Sequence, residues 1–330
     1  MSTKKRILSG MRPTGALHLG NLHGALNNWK NIQDEFDCFF FVADWHALTS
    51  DYADSSNIFT FTRELILDWL SVGLSPEQST IFVQSDVKEH AELFLLLTMI
   101  TPVPWLERNP TYKEQIEQLS NKDLSTFGFL GYPVLQAADI IMYKAQGVPV
   151  GIDQVPHVEI TREIARRFNH IFSPVFPEPE AILTPTPKIL GLDRRKMSKS
   201  YNNAIFLADN PKIINEKVAR MITDPQRKRK NDPGDPDVCN VFDFHKLYSD
   251  NTIISKIDSE CRKAEIGCVN CKKIMAKNLI SFLEPIHEKR NYYMSKPDEI
   301  EDVIISGGQK AGIIAKDTME QVRDAIMKKK

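Results

Sequence analysis

The chain lacks any long apolar run. Its most hydrophobic stretches, residues 39–42 and 93–100, fall far short of the roughly 18 to 20 residues that cross a bilayer, so no membrane span is expected. Near the start, Lys4, Lys5 and Arg6 precede only Ile7 and Leu8 before Ser9 and Gly10. The apolar region of a secretory signal is missing there, and a cytoplasmic location is the expectation. An excess of one charge is also absent: 42 Lys plus Arg stand against 43 Asp plus Glu, a net charge of -1. A nucleic-acid partner would have to be held by local basic patches, because no global positive field exists. With 15 Gly and 19 Pro among 330 residues, collagen-like and low-complexity classes are excluded. The chain has no internal repeat, and 42% hydrophobic residues supply a core for one large or two ordinary domains.

What is present alternates short apolar runs with amphipathic stretches. Strand-like runs at residues 6–9, 38–43, 80–84 and 147–151 are separated by helical spacing at 17–35, 59–72 and 156–169. Strands alternating with helices imply a Rossmann-like α/β domain with a parallel sheet. The run at 38–43 has no polar alternation, which suits an interior strand covered on both faces. Ligands in such sheets bind at the carboxyl ends of strands, so residues just beyond them are the ones to inspect. After about Pro187 helical spacing dominates, at 211–223, 252–264, 271–291 and 317–327. The expected division is a catalytic domain over residues 1–195 and a mostly helical domain over 196–330. Two basic patches fall in the latter, Arg227-Lys228-Arg229-Lys230 in a proline-bearing loop and the cluster Arg262, Lys263, Lys272, Lys273 and Lys277. Either alone reads as a solvated surface.

Residues 7–21 begin as a strand, turn through Gly10, Arg12, Pro13, Thr14 and Gly15, and enter a helix near Leu19. Unpaired N–H groups and the positive dipole end make a helix start an anion site. Gly20 lets a bulky ligand approach that backbone. No Gly-Lys-Ser/Thr closes the turn and no Gly-x-Gly-x-x-Gly is present, so neither a P-loop nor a dinucleotide fingerprint is indicated. His18 and Asn21, three residues apart, can aim at one phosphate.

His18-Leu19-Gly20-Asn21 resembles the first signature of class I aminoacyl-tRNA synthetases, His-x-Gly-His, with Asn in the last place. Lys196-Met197-Ser198-Lys199-Ser200 matches their second signature at every position. Residues 131–143, with Gly151, Ile152, Asp153, Gln154 and His157, resemble the amino-acid pocket of the tryptophanyl-tRNA synthetases. Tyrosyl-tRNA synthetases are the close rival, and Ser9-Gly10 with Pro13-Thr14-Gly15 and Val148-Pro149-Val150-Gly151 look like the tryptophan branch. An indole nitrogen only donates, so a buried acceptor must read it; Asp139 is the candidate. By resemblance His46, Tyr132, Gln136 and Gln154 complete the tryptophan pocket. Arg12 and Trp45 stand where the family often has glutamine, which leaves the role of Arg12 open.

The resemblance implies formation of tryptophanyl-adenylate from L-tryptophan and ATP, followed by transfer to tRNA(Trp), without a protein nucleophile. His18, Asn21, Lys196 and Lys199 would steady the phosphates. Arg12, Pro13, Thr14 and Gly20 would line the ATP site, Gly151, Ile152 and Asp153 would bind the adenosine sugar, and Ile189 would contact the base. Met197, Ser198 and Ser200 complete the ATP loop. Mg²⁺ would accompany the ATP, and a homodimer is implied. Two other readings stay open: another class I nucleotidyl transferase, or a non-catalytic RNA-binding paralogue.

Cys239, Cys261, Cys268 and Cys271 follow the spacing C-x21-C-x6-C-x2-C. Reduced thiols in this number suggest a metal site before a disulfide framework. Only one close pair occurs, where structural zinc usually shows two. The resemblance extends here to a bacterial subset of the family with a four-iron four-sulfur (4Fe-4S) cluster on similar spacing, with zinc as the alternative. Cys38, in a strand-like run, reads as core.

Overall fold

The computed structural model describes residues 4–118, 122–183, 189–229 and 231–327. Lys230 of the first basic run and Pro187 lie outside the described residues. The chain forms two compact units, one of Met1–Gly15, Asn28–Pro185 and Lys296–Lys330, the other of Ala16–Asn27 and Thr186–Ser295. A single cut at residue 195 does not describe this arrangement. Two segments cross it, the first helix start and the last helix, and each follows the partner its apolar side chains pack against.

In the first unit five strands, β1 Arg6–Met11, β2 Asp37–Val42, β3 Ser79–Val83, β4 Gly147–Val150 and β5 Glu180–Leu183, form one sheet in the order β3-β2-β1-β4-β5. Every pairing is parallel. The Rossmann-like α/β expectation is met. Strand β2 is buried from Cys38 to Val42, as its unbroken apolar run requires when helices cover both faces. The order reverses between β1 and β4, the switch point beside which ligands bind in open sheets. Strand β5 carries no strand-like signal in the sequence: it is short, only partly covered, and follows Pro174, Pro177 and Pro179.

The last helix, Pro297–Met327, is far longer than the 317–327 expected. Ala311, Ala315, Met319, Val322 and Ala325 join the core formed by Leu8, Phe39, Phe82, Val134 and Phe168. Their three- and four-residue spacing makes one apolar stripe. Gly307 sets how close the helix comes, because a Cβ there would lie 1.7 Å from the carbonyl oxygen of Ile81 in β3. No side chain fits that gap.

The second unit is helical, as expected, with helices Pro211–Arg220, Asn240–Tyr248, Asn251–Arg262 and Cys268–Met294. Asn210 and Asp250 cap two of them by accepting from the amides of Ile213 and Ile253, which satisfies helix-start donors that otherwise lack partners. Among the described residues no helix is long and apolar enough to cross a membrane.

Candidate active site

In the first unit a buried polar cluster centres on Asp139, fully buried in the helix Phe127–Met142. His46 Nε2 lies 2.8 Å from its Oδ2, and His90 Nδ1 lies 2.6 Å from its Oδ1. Gln84 Nε2 donates to both oxygens at 2.8 and 2.9 Å. Behind His90, Nε2 meets the Tyr143 hydroxyl at 2.7 Å. Since an ionised carboxylate only accepts, His90 carries its proton on Nδ1 and accepts a hydrogen bond from the Tyr143 hydroxyl at Nε2, while His46 donates through Nε2. Burial pushes the Asp139 carboxyl up, but the two imidazoles and their hydrogen bonds outweigh it and hold it below the ordinary range. A buried charge without such partners would cost several kcal/mol; here about four lone-pair sites meet four contacts.

Around it stand Tyr132 and Gln136. Tyr132 is buried and its hydroxyl lies 3.3 Å from His157 Nε2. His157 Nδ1 meets Asn109 Nδ2 at 3.2 Å; the amide donates there, so Nε2 bears the proton and donates to Tyr132. Burial holds His157 down at about 4. Gln136, half-buried, precedes Asp139 by one helical turn. Arg12 and Thr14 are exposed and Pro13 is buried, with Arg12 Nη1 3.4 Å from Ser50 Oγ. Ile152 and Asp153 are exposed beyond β4, and the Gln154 amide donates to Asp153 Oδ2 at 3.1 Å. A cavity of about 390 Å³ in this unit is lined by Trp105, Arg108, Asn109 and Glu159, among others, and by none of the residues expected at the site.

In the second unit both signatures meet. Leu19 N donates to Ile205 O at 3.0 Å and Leu207 N to Leu17 O at 2.8 Å, with His18 bridged to Phe206. The strip carrying His18 is thus paired to the segment that follows the lysine loop. His18 is 9% exposed and its amide is capped by Asn21 Oδ1 at 3.0 Å, which leaves the Asn21 amide nitrogen as a donor. A Cβ on Gly20 would fall 2.8 Å from the His18 ring, so glycine is needed for the ring to lie over the helix start. Burial first, then the charge of Lys199, lowers His18 to about 4. At pH 7 it offers hydrogen bonds and no charge. Its Nδ1 is buried without a hydrogen-bond partner among the described residues.

The lysine loop is stapled by Asn203, whose amide donates to Asp193 Oδ1 at 2.6 Å and Lys196 O at 3.2 Å while its Oδ1 accepts from Ser198 N at 2.8 Å. Met197 and Ile189 are buried, and Ile189 O accepts from Met197 N at 2.9 Å. The Ile189 side chain belongs to the core, so only its backbone could meet a base. Lys196 and Ser200 are exposed, with Ser198 and Lys199 half-buried.

The four cysteines of the second unit are all free. Every one of their six pairings contributes to raising a thiol pKa; Cys271, through burial first and then the other three, is pushed up to about 12. Arg227 Nη1 lies 3.6 Å from Cys261 Sγ and His245 Nε2 3.5 Å from Cys271 Sγ. Among the described residues no three His, Cys, Asp or Glu groups are placed to hold a metal ion. Cys38 is core, 1% exposed. In the second basic patch Arg262 pairs with Asp235, Asp237 and Asp258 and Lys272 donates to Ala219 O, which leaves Lys263, Lys273 and Lys277 as its exposed charges.

Residues 2–284 match the family described as tRNA synthetases class I (W and Y). The tryptophan–tRNA ligase of Thermotoga maritima is 55% identical over 97% of this chain and 98% of its own length, and that of Aquifex aeolicus 46% identical over 97% and 99%. The chain belongs to the class I tryptophanyl-tRNA synthetases. The structure of such a synthetase from Campylobacter jejuni, complexed with ADP and tryptophan, aligns with a TM-score of 0.91 at 33% identity, covering 97% of this chain and 99% of that one. A tyrosyl-tRNA synthetase from Archaeoglobus fulgidus, at 20% identity and a TM-score of 0.65, shares the fold.

Within this tryptophanyl-tRNA synthetase chain, sequence reasoning missed Gln84, His90, Asn109 and Asn203. Gln84 was within reach, since it stands just beyond β3, and the carboxyl ends of parallel strands are where ligands bind. The others act through contacts across the fold and carry no local signal.

His157 and His18 are both held near 4, below the ordinary 6.5. Between those values the unfolded chain binds more protons, so stability is fully present above pH 6.5 and lost as pH falls toward 4. Urea midpoints across this window should decline less steeply in His157→Gln than in the unsubstituted protein. Equal slopes would show that His157 is not buried neutral.

Proposed function

We propose that the chain is a tryptophan–tRNA ligase. It joins L-tryptophan and ATP to give tryptophanyl-adenylate and pyrophosphate, then transfers the acyl group to the terminal adenosine of tRNA(Trp). The observation that carries this is the pairing of residues 17–19 with 205–207, which brings His18 within the field of Lys199. Tryptophan is favoured over tyrosine by the relatives at 55% and 46% identity.

In the reaction a tryptophan carboxylate oxygen bonds to the α-phosphorus while the bond to the bridging oxygen of pyrophosphate breaks. Negative charge accumulates on the departing group. Lys196 and Lys199 offset it, and neutral His18 with the Asn21 amide orients the phosphates by hydrogen bonds, so catalysis is positioning plus charge stabilisation. Mg²⁺ enters with the nucleotide as its counter-ion. Arg12, Pro13, Thr14 and Gly20 approach ATP, and Gly151, Ile152 and Asp153 its ribose. By this reading the indole N–H takes the place of one of the two Gln84 contacts on Asp139, Gln136 offers a second acceptor, and His46, Tyr132 and Gln154 shape the rest of the pocket. Reading that proton by a fixed acceptor discriminates strongly against side chains lacking it. The exposed Lys228, Arg229, Lys263, Lys273 and Lys277 suit a tRNA backbone. A cytoplasmic homodimer, checked by sizing, is the working assembly.

Cys239, Cys261, Cys268 and Cys271 supply the four thiols that a 4Fe-4S cluster would need, with the Arg227 guanidinium on one sulfur, although among the described residues no three of these groups are placed to hold a metal ion. Charge from Arg227 suits the anionic thiolate cluster. Its part is structural, fixing the ends of three segments in the tRNA-binding unit. Anaerobically purified protein should contain iron and sulfide and absorb visible light. Zinc without iron would identify the alternative, and neither would remove the metal reading.

Tryptophan-dependent exchange of label between pyrophosphate and ATP tests the ligase reading. Exchange should require tryptophan and not respond to tyrosine, and Lys199→Ala should slow it roughly a hundredfold while tryptophan affinity stays. Tyrosine-dependent exchange would favour the tyrosyl reading, and no exchange a non-catalytic paralogue.

A further inference from the structure

The turn of residues 191–194, which leads into the lysine loop, is held from outside the loop. Arg194 has a φ of +65°, a left-handed conformation that is unfavourable for a residue with a Cβ and persists only where surroundings enforce it. Its guanidinium shows what enforces it: Nη1 donates to Val238 O at 2.7 Å and Nη2 to Asp237 O at 3.2 Å, with the Asp243 carboxylate 3.9 Å away. One residue past Cys239, Asn240 is fully buried. Its Nδ2 donates to Gly191 O at 2.7 Å and reaches Leu192 O at 3.4 Å. Asn240 Oδ1 is buried with no hydrogen-bond partner among the described residues. An unpartnered buried amide oxygen costs desolvation energy, which the bonds of the Asn240 nitrogen to the turn offset.

From the other side, Asn203 fills the space that any side chain at Gly191 would need, with its Cγ 2.3 Å from the position of a Cβ there. The turn is thus gripped between Asn203 and residues 237–240. Gly191 N donates to Arg195 O at 2.7 Å, and Leu190 bridges Lys196. A shift of the turn therefore carries Lys196 with it.

We propose that Arg194 and Asn240 are positioning residues for the lysine loop, and that residues 237–240 are the seat carrying it. This rests on the reading that the loop acts on ATP. Neither residue needs to touch the nucleotide. Together they fix the turn's carbonyls and guanidinium, so the two lysines start from one geometry instead of many. Cys239 lies inside this seat.

The test compares Arg194→Asn, Asn240→Ala and Lys199→Ala in ATP–pyrophosphate exchange, with calorimetric tryptophan binding and hydrogen exchange over residues 190–203. Arg194 is exposed and Asn tolerates the left-handed conformation, so that variant remains folded even if Asn240→Ala does not. Arg194→Asn should raise the KM for ATP by about tenfold, loosen the amides of the turn and leave tryptophan affinity unchanged; a folded Asn240→Ala should do the same. If Lys199→Ala is impaired but Arg194→Asn changes neither ATP KM nor amide protection, the seat is refuted. Equal damage to ATP and tryptophan binding refutes it too. If Lys199→Ala itself exchanges normally, the reading of the loop fails, and the proposal with it.

Discussion

The short antiparallel contact between residues 17–19 and 205–207 joins two signatures separated by most of the sequence, and the chemistry of the second unit follows from it. Its two backbone hydrogen bonds contribute about 1 kcal/mol each. Burial of Leu17, Leu19, Ile205 and Leu207, all at most 3% exposed, contributes about 2 kcal/mol per side chain. Hydrophobic burial therefore holds the strip in place, and the hydrogen bonds choose its register. A register slip of one residue would turn His18 to the opposite face and separate it from Lys199. With the register set, burial and the lysine charge keep His18 neutral, so it adds hydrogen-bonding capacity at the helix start without adding charge.

The first unit solves a different problem. A buried carboxylate is costly unless surrounded by donors. Asp139 receives donors from the helix after β2 through His46, from the end of β3 through Gln84, and from a further helix through His90. Strand ends of a parallel sheet converge on such a point by topology, so the fold assembles around the carboxylate what no local sequence could.

Much of this was legible in the residues. Apolar runs located four strands, and two spaced signatures picked out segments that the fold pairs with each other, because those features are local in sequence. Strand β5 escaped, being short and half-covered. The last helix escaped in another way: its stripe of Ala311, Ala315 and Met319 is helical by spacing, but nothing local says that Gly307 lets it lie on β3. His90, Asn109, Asn203 and Asn240 were silent for the same reason, as each matters through a partner far along the chain. The four cysteines were visible by spacing, and their mutual influence through space arises from folding. Arg262 shows the opposite case, a basic residue of the sequence whose charge the fold satisfies with three aspartates.

The most direct measurement of whether the two signatures serve one triphosphate is a double-mutant cycle on the rate of adenylate formation, with His18→Ala, Lys199→Ala and the pair. Groups acting on the same phosphates are coupled, so the double variant should lose clearly less than the product of the two single losses, a coupling of about 1 kcal/mol or more. Independent effects that multiply within experimental error would contradict the account.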